Sequence, residues 1–270
     1  SLAQRFVATF KRDPRRGYSK RLYEVLQTSN EGSDFLTAIT PVSDRSGAAM
    51  RVSPIGLLPD LKQVLTLAER QAAITHDTPG GRMSAQAVAA TVHYLAYDLG
   101  PRRELGRFIE RHVPGRPWAE YWTGRADMAG LSCAHAAISL VQSATSLSGL
   151  LRDAIALGGD TDTVAAMAMF SGSLCRDITA DLPQALYDGL ENAAYGCDAL
   201  RDLDTRPRHL WIALPQALLT PAMRIEIDDR ANGAGFFDLG FLWASAVWSP
   251  AFNFERGRKL EKIGLPAQDT

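Results

Sequence analysis

Apolar side chains recur every three to four residues along most of the chain before residue 196, which is typical of amphipathic helices. Segment 60–74 shows this spacing at Leu61, Val64, Leu65, Ala68 and Ala72. The pattern predicts helices over 2–10, 18–26, 60–74, 84–97, 132–141, 148–157 and 180–194. Because no alternation of polar and apolar residues has a useful length, the same pattern predicts an all-α fold.

Turn-forming and charged segments separate these helices. The polar stretch 28–47 is rich in Ser, Thr, Asn, Gly and Pro, so it predicts a loop with local helix at most. The run Pro79-Gly80-Gly81 predicts a break before the helix over 84–97. The stretch 102–117 predicts a solvated face formed by its arginines: Arg103, Arg107, Arg111 and Arg116.

One stretch departs from the amphipathic pattern. Two glycines are followed by Asp160-Thr161-Asp162-Thr163, and every side chain from Val164 to Phe170 is apolar. This predicts a helix that is buried around most of its circumference and begins with two acidic side chains. Ionised carboxylates enter a core only when they are paired, hydrogen-bonded or bound to a metal ion. The start of this helix is therefore a candidate site.

Two interpretations of these acidic residues remain open. Asp and Thr are common N-cap residues, which accept hydrogen bonds from the first amides of a helix. Capping needs one such residue, however, and the sequence has no Lys or Arg between Asp153 and Arg176 that could pair with the carboxylates. A bound cation is the alternative, and oxygen donors suit Mg²⁺, Mn²⁺ or Ca²⁺ better than Zn²⁺. Its ligands would be Asp160, Asp162 and the Thr163 hydroxyl.

Composition excludes several other classes of protein. The chain has 270 residues, of which 46% are hydrophobic and 22% charged, and its net charge is −1. These values fit a globular protein without non-specific affinity for nucleic acids. Its three cysteines form no C-x-x-C pair, which argues against a zinc site or a disulfide scaffold and leads us to expect a cytoplasmic protein. The uncharged run 239–254 contains Pro250 and is too short for a membrane span.

The run Gly158-Gly159-Asp160-Thr161-Asp162-Thr163, with Ala154-Ile155-Ala156-Leu157 before it and Val164-Ala165-Ala166 after it, closely resembles the C-terminal signature of the ADP-ribosylglycohydrolase family. This family includes the dinitrogenase reductase-activating glycohydrolases and hydrolases that remove ADP-ribose from proteins. The resemblance implies an orthogonally packed, multi-helix all-α domain. It also implies that Asp160, Asp162 and Thr163 bind a pair of Mg²⁺ ions, with Mn²⁺ as a possible substitute.

Two further segments resemble the same family. Ser46-Gly47-Ala48-Ala49-Met50-Arg51 is similar to the family's Asn-Gly-Ala-Ala-Met-Arg segment, which lies against the diphosphate and ribose of the ligand. Ser46 stands where the family usually has Asn. Thr75-His76 matches a Thr-His pair near the nucleotide end of the family's pocket. The resemblance thus implies that Ser46, Gly47 and His76 bind substrate; the alternatives are a plain helix-entry turn and a C-cap or surface histidine.

The remaining four histidines lie outside these motifs, and the sequence assigns no role to them: His93, His112, His135 and His209.

The resemblance covers roughly residues 4–195, so we expect a glycohydrolase-like domain over 1–196. Residues 197–270 form an aromatic-rich extension, expected to pack on the domain or to make an oligomer contact. Relatives begin with a helix and a Thr-Asp-Asp segment that supplies the other half of the dimetal site, and with an acidic residue proposed to act in catalysis. No segment here matches, so no catalytic residue is assigned, and we expect the 270-residue chain by itself to be inactive or nearly so. Either that beginning lies outside this numbering, or the chain is a degenerate relative.

The resemblance implies magnesium-dependent hydrolysis of the bond at ribose C1″. The substrate would be an ADP-ribosylated protein or an ADP-ribose-containing small molecule. The alternative is a non-catalytic protein that binds ADP-ribose or keeps the fold for a structural role, as certain eye-lens crystallins do. A Thr-Asp-Asp segment upstream of Ser1 would favour the enzyme.

Overall fold

The computed structural model of the chain describes residues 1–15, 17–192, 194 and 196–199. These residues form helices, connecting segments and four isolated bridges, and no strand occurs among them. The prediction of an all-α fold is therefore confirmed. The predicted extension over 197–270, including His209, lies almost entirely outside the described residues.

Eleven α-helices are described, together with 3-10 helices at Ser53–Leu57 and Arg102–Glu104. They are α1 (Leu2–Arg12), α2 (Lys20–Thr28), α3 (Gly32–Ala38), α4 (Gly47–Met50), α5 (Leu61–Ala73), α6 (Pro79–Ala96), α7 (Leu105–His112), α8 (Gly130–Ser143), α9 (Leu147–Ala156), α10 (Thr161–Gly172) and α11 (Gln184–Asp188). None of the helices in the described part combines the length and apolar character that a membrane crossing requires.

Helices α6, α8 and α10 form the centre of the domain. Each is buried on almost all sides, and their many alanines allow neighbouring helices to approach closely. Helix α6 packs against α5, α7, α8 and α10, and α10 also packs against α9. In α10 every residue from Thr163 to Met169 is buried, as the apolar run predicts. The acidic start of α10 thus lies at the end of a core helix, but the carboxylates do not enter the core as expected, since Asp162 is exposed and Asp160 is only partly buried.

Helices α1, α2 and α3 enclose a smaller apolar cluster around Val7, Phe10 and Phe35. The partly buried Ile74, directly after α5, packs against this cluster. The N-terminal helices therefore cover the end of α5, where the Thr75-His76 pair begins.

The predicted break at Pro79-Gly80-Gly81 is wrong, because these residues form the first turn of α6. Proline is favoured in the first turn of a helix because the N–H that it lacks would have no intrahelical partner there. The Thr78 hydroxyl accepts a hydrogen bond from the Gly81 amide at 3.0 Å and so caps the helix. A Cβ on Gly81 would lie 2.6 Å from the His76 carbonyl oxygen. The glycine is therefore required by close packing and does not mark a loop.

The predicted helix over 180–194 is also wrong, since α11 covers only Gln184–Asp188. Asp181 instead accepts hydrogen bonds from the amide and hydroxyl of Ser148, at 2.8 and 2.5 Å. Pro183 follows in an extended conformation and disfavours helix at the residue before it. The segment therefore remains irregular up to Pro183. The expected loop over 28–47 contains α3 as its local helix.

Arg116 does not belong to a solvated face. Its guanidinium lies 5.8 Å from the ring centroid of Trp118 and 5.5 Å from that of Trp122, and its Nε donates to Nδ1 of His135 at 3.1 Å. Cation–π contacts and a hydrogen bond therefore hold this side chain against the domain. The other three arginines of that prediction are exposed: Arg103, Arg107 and Arg111.

Candidate active site

A double-glycine turn places Asp160 at the start of α10. Gly158 and Gly159 both have positive φ angles, +67° and +88°. The Asp160 amide donates to the Ala126 carbonyl at 2.9 Å, and the Ala126 amide donates to the Gly158 carbonyl at 3.3 Å. A Cβ on Gly159 would lie 1.8 Å from the Ala126 carbonyl oxygen, so no other residue fits this turn. The glycines therefore fix the position of Asp160.

A second pairing brings the Ser46 turn to the same place. The Ser46 amide donates to the Met128 carbonyl at 3.2 Å, and the Gly130 amide donates to the Asp44 carbonyl at 2.8 Å. The Ser46 hydroxyl donates to Oδ2 of Asp160 at 3.2 Å. Two sequence motifs that lie far apart in the chain thus meet through a direct side-chain contact.

Asp160 occupies the N-cap position of α10, but its side chain makes no capping hydrogen bond. Besides Ser46, its carboxylate contacts the thiol of Cys133 at 3.6 Å. Burial, with a smaller contribution from the neighbouring Asp162 carboxyl, raises the pKa of Asp160 to about 6, whereas the Thr163 hydroxyl acts in the opposite direction. The capping interpretation therefore does not account for Asp160.

The oxygen donors at this place suit a hard divalent cation. Within the described part of the chain, neither Asp160 nor Asp162 forms an ion pair with Lys or Arg. Burial and the neighbouring Asp162 carboxyl both disfavour the charged form of Asp160 and hold its pKa above the usual range. Thr163 is buried next to these carboxylates, and its hydroxyl donates to Sδ of Met50 at 3.4 Å. Two carboxylates and one hydroxyl are donors of the type that Mg²⁺ and Mn²⁺ prefer.

The donor set is small. No group of three or more His, Cys, Asp or Glu side chains that could hold a metal ion occurs among the residues that the structure describes. Asp160, Asp162 and Thr163 would thus supply only part of a coordination sphere of six ligands or more. Ligands from elsewhere, water or substrate would complete it.

His76 lies against the Ser46-Gly47 turn. A Cβ on Gly47 would lie 3.2 Å from Cε1 and 3.3 Å from Nε2 of the His76 ring. The residue is buried, with 7% of its surface exposed, so it is neither a surface histidine nor the C-cap of α5, which is Ile74. Burial, with a smaller contribution from the nearby Arg51 cation, lowers the pKa of His76 to about 4. His76 is therefore neutral at neutral pH.

The structure brings all six predicted site residues to one region. The Ser46–Asp160 hydrogen bond joins the metal-ligand candidates to the substrate-binding candidates. Thr163 contacts Met50, which belongs to the same short helix as Gly47. Substrate-binding candidates are joined to each other by the packing of Gly47 against His76. The six are Ser46, Gly47, His76, Asp160, Asp162 and Thr163.

Sequence reasoning assigned no role to Arg51, whose guanidinium is buried behind this region. It donates to the side chain of Gln71 at 2.7 Å and to the Thr75 hydroxyl at 2.8 Å, and it lies 5.0 Å from the centroid of the Phe6 ring. Burial lowers the pKa of Arg51 to about 10. An arginine directly after the apolar run Ala48-Ala49-Met50 was the signal in the sequence that could have identified it.

Comparisons with known proteins identify the family of the chain. The sequence model of the ADP-ribosylglycohydrolase family matches residues 1–211. The chain is 29% identical over 119 residues to ADP-ribosylhydrolase ARH3 of Xenopus tropicalis, an alignment that covers 40% of this chain and 34% of that protein. The matched part of the chain thus spans about a third of that relative's length. Since the family model matches most of the sequence, the chain belongs to the ADP-ribosylglycohydrolase family.

Proposed function

We propose that the protein removes ADP-ribose from a modified protein or small molecule by hydrolysing the bond at ribose C1″, with Mg²⁺ as cofactor. Membership of the ADP-ribosylglycohydrolase family and the similarity to an ADP-ribosylhydrolase support a hydrolase of ADP-ribosyl groups. The observation that carries the proposal is the hydrogen bond from Ser46 to Asp160, because it places the turn that would bind the ligand beside the carboxylate that would bind metal.

Asp160, Asp162 and Thr163 would hold the cation. A bound Mg²⁺ would supply positive charge that can hold ribose hydroxyls and orient a water molecule. Ser46 would act on the metal ligand itself, since its hydroxyl donates to Oδ2 of Asp160 and limits the rotation of that carboxylate. The double-glycine turn would fix the backbone beneath the same carboxylate.

Gly47 and His76 would bind the ligand. Gly47 has no side chain, so a ligand group can approach its backbone closely. His76 is neutral, so its ring can offer a hydrogen bond without adding a charge.

The chemistry at C1″ indicates what the carboxylates would do. Glycosidic bonds break through a transition state with oxocarbenium character, in which positive charge develops on the sugar. The carboxylates of Asp160 and Asp162 lie at the start of α10, where they would hold the cation that binds ribose hydroxyls and orients the water molecule in this step.

Release of ADP-ribose from an ADP-ribosylated protein tests the proposal. The protein, with any residues that its gene encodes before Ser1, is incubated with the modified protein and Mg²⁺, and free ADP-ribose is measured by chromatography. We expect release by the unaltered protein and by Asp153→Asn, which removes an exposed carboxylate from α9. Asp162→Asn and added chelator should abolish release.

Calorimetric titration with ADP-ribose separates the alternatives. Binding without release, in the presence of Mg²⁺, would contradict the hydrolase and favour a non-catalytic ADP-ribose-binding protein. A folded protein that neither binds nor releases ADP-ribose would contradict the ligand class as well.

A further inference from the structure

A buried chain of polar groups leads from Arg51 to the candidate ligand site. Nη2 of Arg51 donates to the Thr75 hydroxyl at 2.8 Å, and the same hydroxyl lies 2.6 Å from Nδ1 of His76. Thr75 and His76 are both buried, with 5% and 7% of their surfaces exposed. The three residues therefore form one hydrogen-bonded relay behind the Ser46-Gly47 turn.

The chemistry of the relay determines where its protons lie. A guanidinium only donates hydrogen bonds, so the Thr75 oxygen must accept from Arg51. The Thr75 hydroxyl makes no other side-chain hydrogen bond within the described part of the chain than those to Arg51 and His76. If Nδ1 of His76 carried the proton, the buried Thr75 O–H would lack an acceptor, which is costly. Thr75 therefore donates to Nδ1.

Arg51 itself is held in one orientation. Its Nε donates to Oε1 of Gln71 at 2.7 Å, and its Nη2 donates to the Gln71 carbonyl at 3.0 Å. The side-chain amide of Gln71 in turn donates to the carbonyl of Ala48, the residue after Gly47, at 3.0 Å. Arg51 forms no ion pair with a carboxylate among the described residues, so its charge acts on the relay without a counter-ion.

A neutral imidazole that accepts at Nδ1 carries its proton on Nε2. Nε2 is the ring nitrogen that faces Gly47, since a Cβ there would lie 3.3 Å from it. We propose that Arg51, acting through Thr75, is a positioning residue that holds His76 as its Nε2–H tautomer, so that His76 donates a hydrogen bond to a ligand oxygen beside Gly47. The nature of that ligand, ADP-ribose, rests on the proposed function. The assignment of the tautomer does not depend on the proposed function.

The tautomer is measured first, in the ligand-free protein. Long-range ¹H–¹⁵N correlation spectra of ¹⁵N-labelled protein distinguish protonated from unprotonated ring nitrogens, and His76→Gln identifies the His76 signals. We expect Nδ1 of His76 to be unprotonated and Nε2 to be protonated at neutral pH. An Nδ1–H form in the unaltered protein would overturn the proposal, whatever the ligand.

Two substitutions at Thr75 test the relay with matched shapes. Thr75→Val removes the hydroxyl and keeps the volume, whereas Thr75→Ser keeps the hydroxyl. We expect the valine variant to show a mixture of tautomers and to bind ADP-ribose about two- to tenfold more weakly, because the competent form is less populated. The serine variant should retain both the tautomer and the affinity. Unchanged spectra and unchanged affinity in a folded Thr75→Val protein would overturn the proposal.

Arg51→Lys separates the charge from the planar donor group. Lysine keeps the positive charge but cannot bind Gln71 and Thr75 together as the guanidinium does. We expect the His76 spectrum to shift toward the mixture seen in Thr75→Val, while a thermal melt reports whether the variant is folded. A folded Arg51→Lys protein with an unaltered His76 spectrum would remove Arg51 from the relay. If the unaltered protein shows the expected tautomer but binds no ADP-ribose, the ligand assignment fails and the relay stands.

Discussion

The Ser46 hydroxyl donates a hydrogen bond to Oδ2 of Asp160 over 3.2 Å, although 114 residues separate the two in the chain. The contact forms because two backbone pairings, one from Ser46 to Met128 and one from Asp160 to Ala126, bring both residues to the segment before α8. The candidate metal ligands and the candidate ligand-binding turn are thus parts of one site.

The first prediction concerns metal binding by the start of α10. Mg²⁺ or Mn²⁺ should raise the melting temperature of the protein, because an ion that binds only the folded state stabilises it by about 2.7 kcal/mol at a hundredfold excess over its dissociation constant. Asp160→Asn should abolish most of this shift by removing one of the two carboxylates that would bind the ion. Scanning calorimetry with a series of metal concentrations measures the shift in melting temperature of both proteins.

Asp153→Asn is the control, since it removes a carboxylate of the same kind from an exposed position on α9. Its melting temperature should respond to metal as that of the unaltered protein does. An equal metal response in the unaltered protein and in Asp160→Asn would exclude Asp160 as a ligand.

The second prediction concerns the pH dependence of the metal-free protein. The pKa of Asp160 is raised to about 6, so between pH 4 and 6 the folded state binds more protons at this group than the unfolded state does. The contribution of Asp160 to the free energy of unfolding must therefore fall as pH rises through this range. We expect a loss of about 1 kcal/mol, because Asp160 is partly exposed and solvent screens its charge.

His76 acts in the opposite direction over a similar range. Its pKa is lowered from 6.5 to about 4, so the unfolded state binds more protons and stability rises with pH between these values. The Asp160 contribution is therefore measured as the difference between the unaltered protein and Asp160→Asn, by urea unfolding with a chelator present. A difference that stays constant from pH 4 to 7 would contradict the raised pKa.

The third prediction concerns Gly47. Gly47→Ala places a Cβ 3.2 Å from Cε1 of His76, so the ring must move by a few tenths of an ångström. We expect ADP-ribose to bind about two- to tenfold more weakly, since the methyl group displaces His76 and narrows the approach to the turn. The free energy of unfolding should change little, because Gly47 has no positive φ angle.

Gly17→Ala is the matched control. A Cβ on Gly17 meets no atom within 4 Å, and the residue lies in the connection between α1 and α2. Its affinity for ADP-ribose, measured calorimetrically, should equal that of the unaltered protein. If Gly47→Ala bound ADP-ribose as tightly as Gly17→Ala, the Ser46-Gly47 turn would not be part of the ligand site.

The helices of the domain are readily predicted from sequence, because apolar spacing reports burial. The apolar run after Thr163 predicts a core helix, and α10 is one. Helix ends are harder to predict, since Pro and Gly mark both loops and first turns. Pro79 and Gly81 belong to a first turn only because Thr78 caps it and the His76 carbonyl packs against Gly81. Both contacts lie within five residues of Gly81, and Thr followed by Pro is itself a helix-start signal, so the sequence already contained the evidence for this first turn.

The candidate site could also be predicted from the sequence only in part. The motifs around Ser46, His76 and Asp160 are recognisable by their resemblance to a family, and the structure brings them together. Their connection could not be predicted from spacing, because it depends on backbone pairing with residues 126–130, which carry no motif. Arg51 and Arg116 also escape sequence reasoning. Arginine side chains are usually exposed. Arg51 is not, because it binds Gln71 and Thr75, and Arg116 is not, because it packs against two tryptophans.

The last prediction compares the two glycines before Asp160. Both have positive φ angles, so replacing either with alanine costs about 1–2 kcal/mol of backbone strain. Their surroundings differ. A Cβ on Gly158 would lie 3.5 Å from Nε of Arg125, an ordinary contact, whereas one on Gly159 would lie 1.8 Å from the Ala126 carbonyl oxygen.

Gly158→Ala therefore reports the strain alone, and Gly159→Ala reports strain plus the loss of the pairing with Ala126. We expect Gly158→Ala to lower the free energy of unfolding by about 1–2 kcal/mol and to keep the metal-dependent rise in melting temperature. Gly159→Ala should cost clearly more and should weaken metal binding, because the Asp160 amide can no longer donate to Ala126 in the same geometry. Urea unfolding and calorimetry with Mg²⁺ measure the two effects. Equal losses of stability and equal metal responses in the two variants would show that the Ala126 pairing does not position Asp160.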